Sequence, residues 1–570
     1  MRIGSPEALR KLSLSELEEL AEDIRSQIIS VSMKNGGHLG ASLGAVEIAI
    51  ALHFVFESPR EALIWDVGHQ AYAHKMITGR WDHFDTLRQA GGISGFLSRA
   101  ESPHDLFGAG HSSTSLSVAL AIAWSKGREK KMDWTTAIIG DGGLTAGIAF
   151  EALNNIAVTP AAPLLILVND NQMSISENVG NLSRNFAHGN AKAYFELQGL
   201  DYVGPIDGHN LATLLGTLKG IKNNYCGKPI VVHAMTQKGK GYSPAEESPA
   251  YFHGVSPVQY KTPGKSAVKQ KSFSDALGEA ICELAEKDDR IVAVTAAMSE
   301  GTGLAQFARK FPERFFDVGI AEPHAVTFAA GLATQGWKPV VAIYSTFLQR
   351  ALDSLIHDVA LQNLNVTFAI DRAGLVGADG PTHHGAFDLS YLGLIPGFEI
   401  SAPEYLGDIK ILLERAIAHN GPSAIRYPRG GAQANSTAPI KNEMRLHVSA
   451  AHPELIAIGL GVSGHRLIEA AQGIQTDTLT VLSTTQAKPI SKAIEAYLNQ
   501  HPSAPILSVE EGSIQGGFGS TLATHFPSRE VICLGYGDRF YEHGTPAQLE
   551  EQVGITVPQL RAKLKSLLKK

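Results

Sequence analysis

The chain has 570 residues, of which 44% are hydrophobic and 18% charged, a composition that excludes an intrinsically disordered protein. Its 49 basic and 56 acidic residues give a net charge of −7, so there is no overall positive field to attract nucleic acid or an anionic membrane. Cys226, Cys282 and Cys533 are far apart and match neither a disulfide framework nor a metal motif, which favours the cytoplasm.

In chain order, the first predicted helix begins at a capping box of Ser15 and Glu18 and ends at Asn35-Gly36-Gly37. Short apolar runs then alternate with helical patterns, which is typical of parallel strands buried on both faces. These runs are residues 62–66, 135–140, 163–169 and 230–235. The pattern predicts a first domain over residues 1–255, followed by an aperiodic linker over 256–272.

A second α/β series follows the linker, and a third, smaller one follows another irregular stretch. The second set of apolar runs is 291–297, 338–345, 366–371 and 423–428, and the third is 454–459, 478–483, 505–511 and 531–537. We therefore predict an α/β fold of three domains, in which two doubly wound parallel-sheet domains precede a smaller C-terminal α/β domain. Their predicted ranges are 1–255, 273–430 and 451–570, and the second linker is 431–450.

The strongest chemical motif joins two predicted strand ends. A Gly-Asp-Gly turn containing Asp141 follows one strand, and an Asn-Asp-Asn turn ending at Asn171 follows the next. Their side-chain oxygens, together with the Met173 carbonyl, are hard ligands suited to Mg²⁺, and Gly142 and Gly143 would let a diphosphate approach the backbone. The alternative is an ordinary glycine turn with an unrelated asparagine at a strand end.

This motif resembles the thiamine diphosphate motif of transketolase-like enzymes. From about residue 30 to 545, the sequence also resembles the 1-deoxy-D-xylulose-5-phosphate synthase family. The stretches that carry the resemblance are 35–44, 65–75, 110–115, 238–246, 319–331, 344–350, 371–388 and 426–430.

The resemblance implies a transferase that uses thiamine diphosphate and Mg²⁺. It would condense pyruvate with D-glyceraldehyde 3-phosphate to give 1-deoxy-D-xylulose 5-phosphate and CO₂. This is the first step of the methylerythritol phosphate route to isoprenoids, and it also feeds thiamine and pyridoxal phosphate synthesis. The resemblance further implies a cytoplasmic homodimer.

The same resemblance assigns roles to individual residues. Glu322 would share a proton with the cofactor's aminopyrimidine, and three histidines would face the substrate: His38, His253 and His383. Phe347 would stack on the aminopyrimidine, and Ile175 would hold the cofactor bent. The diphosphate and thiazolium would lie near His69, Gly110, His111, Ser112, Lys240 and Tyr242. For each of these residues a purely structural role, in the core or at a helix start, is the alternative.

The acceptor substrate carries hydroxyl and phosphate groups. Tyr344 and Asp379 would hydrogen-bond its hydroxyls, and three arginines would bind its phosphate through their planar donor forks: Arg350, Arg372 and Arg429. Solvated surface arginines are the alternative.

Two functional alternatives stay open on the sequence. A transketolase that moves a two-carbon ketol unit would share the Gly-Asp-Gly motif and the glutamate. A catalytically silent protein on this fold is conceivable because residues 183–198 form a shorter segment than the family carries. A third motif, G-x-G-x-x-G at 459–464, suggests dinucleotide binding, but the next strand ends without an acidic residue to hold a ribose.

Overall fold

The computed structural model describes residues 2–175, 177–257, 271–431, 443–474 and 476–568. The chain divides into two compact units: a first unit of Met1–Ala267 with Gly319–Ala321, and a second unit of Val268–Val318 with Glu322–Lys570. Both are built on largely parallel sheets with helices, which confirms the predicted α/β class. Most of the predicted linker 256–272 lies outside the described residues.

The first unit contains a parallel sheet with the strand order β1-β2-β3-β5-β4. Successive side chains of the central strand, Leu164–Asp170, enter two different cores. Leu164 and Ile166 belong to one core, and Leu165 and Leu167 belong to the other. Because both faces are covered, these strands are continuously apolar. The strands are Ala62–Trp65 (β1), Thr135–Gly140 (β2), Leu164–Asp170 (β3), Asp201–Asp207 (β4) and Ile230–Met235 (β5).

The first long helix begins earlier than predicted. Ser13, not Ser15, is the N-cap: the Ser13 N–H donates to Glu16 Oε2 at 2.7 Å, and the Glu16 N–H donates to Ser13 Oγ at 3.4 Å. The Ser-x-x-Glu pattern occurs twice in succession here, and the earlier pair forms the reciprocal bonds, so the prediction of Ser15 and Glu18 was wrong. The helix ends at Asn35 and is capped by Gly36, as predicted.

Helices surround this first sheet, and their bounds are given in chain order. They are Pro6–Leu9, Leu14–Asn35, Leu39–Leu43, Val46–Val55, Tyr72–Lys75, Ser115–Arg128, Gly147–Ile156, Asn181–Ala187, Ala191–Leu197, Leu211–Asn223 and Ser243–Glu247.

The second unit contains a sheet with the order β15-β10-β11-β9-β8-β6-β7, parallel except for β15. Its strands are Ile291–Thr295 (β6), Phe315–Asp317 (β7), Lys338–Tyr344 (β8), Thr367–Asp371 (β9), Glu399–Ser401 (β10), Ser423–Arg426 (β11) and Gln486–Lys488 (β15).

A C-terminal sheet in the same unit has the order β12-β14-β13-β16-β17. Its first strand, Met444–Val448, lies inside the predicted linker 431–450 and pairs antiparallel with the strand Leu479–Thr484. The predicted linker was therefore too long. Residues 432–442 lie outside the described part of the chain. The strands are Met444–Val448 (β12), Leu455–Leu460 (β13), Leu479–Thr484 (β14), Ile506–Ser513 (β16) and Val531–Tyr536 (β17).

The two sheets of the second unit share one apolar core. Phe368 and Ile370 from β9 belong to the same buried cluster as Ile456 and Ile458 from β13. The helices of this unit are Phe273–Ala285, Ala305–Lys310, Glu322–Thr334, Ser345–Leu348, Leu352–Ser354, Asp388–Leu394, Asp408–Ala418, Val462–Ala471, Lys492–Gln500, Phe518–His525, Pro546–Val553 and Val557–Leu567. Among the helices of the described ranges, none has the length and apolar character needed to cross a membrane.

Candidate active site

Strained backbone follows the strands in both units. Val67, Gln172, Ala297 and Arg372 lie one or two residues after the ends of β1, β3, β6 and β9, with φ between 59° and 62°. This left-handed conformation is costly for residues other than glycine, above all for a β-branched valine, and such strain gathers at functional sites. A functional site is therefore expected at the carboxyl edge of each parallel sheet.

In the first unit, that edge opens into a cavity of about 520 Å³. Asp141, Asn171 and Met173, the three predicted metal ligands, all line it. The other lining residues are Asp170, Gln172, Glu177, Asn178, Leu182, Ser183, Arg184, Phe186, Ala187 and Pro249.

Asp141 is the most unusual group in this cavity. Its Oδ2 accepts a hydrogen bond from Asn178 Nδ2 at 2.7 Å, whereas its Oδ1 is buried and has no hydrogen-bond partner among the described residues. Burial, together with the neighbouring carboxylate of Asp170, raises the pKa of Asp141 well above its usual value. A bound cation would stabilise such a carboxylate in its charged form.

The predicted metal ligands would fit Mg²⁺ better than a softer metal. The residues brought together offer carboxylate, amide and carbonyl oxygens, which Mg²⁺ prefers when phosphate and water complete its shell. Within the described ranges, no cluster of three or more His, Cys, Asp or Glu side chains could hold a metal by itself. Asn171 Oδ1 accepts the Met173 N–H at 3.1 Å, which orders the turn that carries both.

A hydrogen-bonded chain behind this turn was not predicted from the sequence. Asp170 Oδ2 lies 2.7 Å from His233 Nε2, and His233 Nδ1 lies 2.8 Å from Tyr202 Oη. The three residues come from β3, β5 and β4, so the chain runs across the sheet. Only the polar residues inside otherwise apolar strands could have signalled it.

Glycines let other groups approach the Asp141 turn closely. A Cβ on Gly142 would lie 2.9 Å from Asn178 Oδ1, and one on Gly143 would lie 3.1 Å from Asp66 Oδ1. Asp66 in turn accepts the backbone N–H groups of Ser113 at 2.7 Å and Ser115 at 3.1 Å. These bonds shape the turn that contains the predicted cofactor residues Gly110, His111 and Ser112.

Three of the predicted histidines form a cluster. The ring centroids of His38, His69 and His253 are 5.6 to 5.9 Å apart. Burial and the nearby Lys238 lower the pKa of His69 to about 3, and burial with Lys238 and the other two rings holds the pKa of His253 well below its usual range. These two imidazoles are therefore neutral at physiological pH and can accept as well as donate a hydrogen bond.

The buried lysine of the 238–246 stretch is Lys238, which was not among the predicted site residues. Its Nζ donates to the Ser174 carbonyl at 2.5 Å and lies 3.5 Å from the Ile175 carbonyl, and burial lowers its pKa to about 8. The predicted Lys240 is partly exposed in the following turn. Tyr242 packs edge-on against Phe252 at 5.8 Å.

The short segment 183–198 is folded and takes part in the cavity wall. Helix Asn181–Ala187 places Leu182, Arg184 and Phe186 along the cavity, while Phe186 and Phe195 also belong to the buried core of the first unit. Helix Asn181–Ala187 therefore forms part of the cavity wall, and helix Ala191–Leu197 packs behind it through the contact of Phe195 with Phe186.

In the second unit, Glu322 begins the helix Glu322–Thr334 and is buried. Burial raises the pKa of its carboxyl group, and the positive charge of Arg350, whose Nη1 lies 3.9 Å from Glu322 Oε2, partly offsets that effect. A carboxyl group with a raised pKa keeps its proton to a higher pH than an exposed one, which suits it to exchange a proton with a neighbouring group.

The predicted aromatic and histidine residues of the second unit meet at the ends of β8 and β9. The Phe347 ring stacks on Tyr344, with centroids 5.7 Å apart, and meets His383 edge-on at 5.5 Å. His383 Nδ1 lies 2.9 Å from Thr382 Oγ1. The rings of Tyr344, Phe347 and His383 thus form one contiguous cluster.

The three arginines predicted to bind phosphate have different partners. Arg372 lies over the Tyr344 ring at 3.7 Å, and its Nη1 donates to the Gly301 carbonyl at 3.1 Å. Arg429 Nη1 lies 3.3 Å from Asp379 Oδ2. Arg350 has a different neighbour, because its Nη1 lies 3.9 Å from Glu322 Oε2.

The G-x-G-x-x-G turn at 459–464 has a packing role. A Cβ on Gly464 would lie 2.4 Å from Ser483 Cβ and 3.1 Å from Glu404 Oε1. The glycine therefore lets helix Val462–Ala471 pack closely on β14, with the carboxylate of Glu404 against it.

The chain was compared with known proteins. It matches the family model described as 1-deoxy-D-xylulose-5-phosphate synthase over residues 1–194 and 187–236, and the model described as transketolase, pyrimidine binding domain, over residues 269–433. The 1-deoxy-D-xylulose-5-phosphate synthase of Carboxydothermus hydrogenoformans is 44% identical over 623 aligned positions, covering 100% of this chain and 99% of the relative. A second relative, 1-deoxy-D-xylulose-5-phosphate synthase 2 of Geobacter sulfurreducens, is 42% identical and covers 99% of each chain. The transketolase structure from Campylobacter jejuni aligns with a TM-score of 0.48 at 18% identity, over 97% of this chain and 100% of that one.

These matches identify the class of protein first. A transketolase pyrimidine-binding region joined to this N-terminal region defines a thiamine diphosphate enzyme of the transketolase type. The full-length identities are more specific, and the chain belongs to the 1-deoxy-D-xylulose-5-phosphate synthase family. The alignments are longer than the chain's 570 residues, so the relatives carry segments that this chain lacks.

Proposed function

We propose that this protein is a transferase that condenses pyruvate with D-glyceraldehyde 3-phosphate to give 1-deoxy-D-xylulose 5-phosphate and CO₂. The full-length identity to the named synthases supports the choice of reaction. The observation that carries the proposal in the structure is the Asp141 cavity, because it gathers all three predicted metal ligands at the end of a parallel sheet.

Thiamine diphosphate, held through Mg²⁺, would supply the carbanion that attacks the pyruvate carbonyl and takes up the electrons released with CO₂. Asp141, Asn171 and the Met173 carbonyl would hold the metal. Support for this assignment comes from the orphaned Oδ1 of Asp141 and from the close approach that Gly142 and Gly143 allow.

The protein's own side chains would move and hold protons around this chemistry. The Glu322 carboxyl, with its raised pKa, would exchange a proton with the aminopyrimidine N1′. The neutral imidazoles of His69 and His253 would donate hydrogen bonds to oxygen atoms that gain negative charge. Arg372 and Arg429 would bind the acceptor phosphate, and Tyr344 and Asp379 its hydroxyl groups.

Product identification tests the reaction. The protein is incubated with ¹³C-labelled pyruvate, D-glyceraldehyde 3-phosphate, thiamine diphosphate and Mg²⁺, and the products are analysed by NMR. We expect labelled 1-deoxy-D-xylulose 5-phosphate and one CO₂ per turnover. A second incubation supplies a ketose phosphate as the donor in place of pyruvate. Ketol transfer from this donor, without CO₂ release, would instead establish a transketolase. No turnover with either donor set would establish the catalytically silent alternative.

We also propose that the protein is a homodimer in the cytoplasm. The family resemblance implies both statements, and none of the three cysteines forms a disulfide, which fits a reducing compartment. Light scattering coupled to size exclusion measures the mass against 60.9 kDa for one chain, and cell fractionation tests the location.

A further inference from the structure

The loop that carries two predicted substrate residues is supported by the C-terminal sheet. We call residues 374–386 the glycine-rich loop; it contains Asp379 and His383. The Leu375 N–H donates a hydrogen bond to Tyr536 Oη at 3.1 Å, and Tyr536 is the last residue of β17. A hydroxyl from the C-terminal sheet thus holds the start of the loop.

Further contacts follow the loop along its length. His384 Nδ1 accepts the Val376 N–H at 3.1 Å, so its Nε2 carries the proton and donates to the Glu542 carbonyl at 3.3 Å. Near the other end of the loop, the Ser513 N–H donates to the Ala386 carbonyl at 2.9 Å.

The glycines of the loop make this approach possible. Gly374 has φ +81°, and a Cβ there would lie 2.9 Å from Tyr536 Oη and 3.4 Å from Glu511 Cβ. Gly380 has φ +74°, and a Cβ there would lie 3.1 Å from His543 Cβ. Side chains at these positions would push the loop away from its support.

Tyr536 is itself held in place. It is buried and packs against Tyr541 at 5.8 Å, while the adjacent Glu511 pairs with Arg466 Nη1 at 2.7 Å. A fixed hydroxyl can therefore fix the backbone at Leu375. On the other side of the loop, Thr346 Oγ1 donates to the Thr382 carbonyl at 2.9 Å, and Phe347 contacts His383.

We propose that Tyr536 is a positioning residue for the acceptor substrate: its hydroxyl sets the glycine-rich loop so that Asp379 and His383 face the sugar phosphate. This inference rests on the proposed function. It gives the C-terminal sheet a part in the second half of the reaction, after CO₂ has left, although Tyr536 touches no substrate.

The test compares Tyr536→Phe with Tyr391→Phe in the full-length holoenzyme. Both changes remove one buried hydroxyl and keep the ring, but Tyr391 Oη has no hydrogen-bond partner among the described residues. In Tyr536→Phe, amide hydrogen exchange of the peptide containing Leu375 should become faster. The KM for D-glyceraldehyde 3-phosphate should rise about two- to tenfold, the effect of one lost hydrogen bond. The rate of pyruvate decarboxylation without acceptor should stay unchanged, and Tyr391→Phe should change none of the three.

The two proposals fail in different ways. Unchanged exchange and an unchanged KM in Tyr536→Phe would overturn the positioning role, even in an enzyme that makes the expected product. Equal losses in acceptor-free decarboxylation and in acceptor use would also overturn it, since the residue would then support the whole fold. A wild-type protein that forms no product would overturn the proposed function, while the exchange measurement would still report whether Tyr536 holds the loop.

Discussion

Arg350 Nη1 lies 3.9 Å from Glu322 Oε2, and both side chains are largely buried. Arg350 therefore differs from the other two arginines in its neighbour. Arg372 lies over the Tyr344 ring, and Arg429 lies beside Asp379. The Arg350 guanidinium lowers the pKa of a carboxyl group that burial raises, so it tunes the group proposed to exchange a proton with the cofactor.

The first prediction concerns Glu322 itself. Glu322→Gln should fold and bind thiamine diphosphate, but hydrogen–deuterium exchange at the cofactor's C2 should slow by about 10²- to 10⁴-fold, because the amide keeps the shape and loses the exchangeable proton. NMR of the quenched cofactor measures this rate. Exchange at the wild-type rate would show that another residue drives the activation.

The second prediction separates Arg350 from the other two arginines. Arg350→Met removes the charge and keeps much of the side-chain volume, so the Glu322 pKa should rise and the pH at which C2 exchange reaches half its maximum should move upward. The preference for phosphorylated over unphosphorylated glyceraldehyde should change little. A large loss of that preference, with an unchanged pH profile of C2 exchange, would contradict this role. It would indicate that Arg350 binds the acceptor phosphate.

The third prediction concerns the metal. Asp141→Ala or Asn171→Ala should weaken Mg²⁺-dependent binding of thiamine diphosphate, because each removes a hard oxygen ligand and leaves diphosphate charge uncompensated. Calorimetric titration with and without Mg²⁺ measures the effect. Glu177→Gln is the matched control, since Glu177 lines the same cavity but is outside the proposed ligand set. Wild-type affinity in both ligand variants would rule out the site.

The fourth prediction is a pH dependence of stability. Burial raises the pKa of Glu510 from 4.5 to about 7, while its carboxylate oxygens accept the N–H groups of Phe518 and Gly519. The folded protein therefore keeps a proton that the unfolded chain releases above about pH 4.5, so this group loses stabilisation as pH rises from 4.5 through 7. At about 1.4 kcal/mol per pKa unit, the loss is at most about 3.5 kcal/mol.

Thermal unfolding at pH 5 and pH 8 checks that sign. Glu510→Gln stays neutral at both pH values. The difference between its melting temperature and that of the wild type should therefore shift in favour of the variant between pH 5 and pH 8. Substitution of the exposed Glu530 by Gln serves as the control and should leave the wild-type pH profile unchanged. A parallel pH profile for Glu510→Gln and wild type would contradict the raised pKa.

The longer strands that are buried on both faces could be predicted from the sequence, because a continuous apolar run between helical patterns is typical of such a strand. The sequence pattern missed β4, because Gly204 and Pro205 interrupt the apolar run and the strand lies at the edge of the sheet. It also missed four strands of only three to five residues, which are β7, β10, β12 and β15. Their pairing depends on neighbours far away in sequence.

The same distinction applies to the site. That Asp141, Asn171 and Met173 line one cavity could be predicted, because each follows an apolar strand and parallel strands end at one edge. The chain from Tyr202 through His233 to Asp170 could not, because its distances depend on the register of three strands. Lys238 was missed because two lysines flank Gly239 in sequence, and only folding buries one of them.

The last prediction concerns how the acceptor is recognised, and it depends on Arg372 and Arg429. The chain carries a net charge of −7, so attraction of a phosphate dianion has to come from local groups. A charge-assisted hydrogen bond contributes about 1.5 to 3 kcal/mol, so losing one should weaken use of the phosphorylated acceptor roughly ten- to a hundredfold. Unphosphorylated glyceraldehyde lacks that contact and should lose far less.

Arg372→Ala and Arg429→Ala should therefore both reduce the ratio of kcat/KM for D-glyceraldehyde 3-phosphate to that for glyceraldehyde, while pyruvate decarboxylation without acceptor stays close to wild type. Arg372 also packs on Tyr344, so Arg372→Lys is the variant that keeps the charge and loses the planar stacking and the donor fork. If charge alone matters, the lysine restores most of the preference. If the fork matters, it restores little. Equal losses for both acceptors would mean that these arginines hold the fold or the cofactor, and the acceptor phosphate would then have to bind elsewhere.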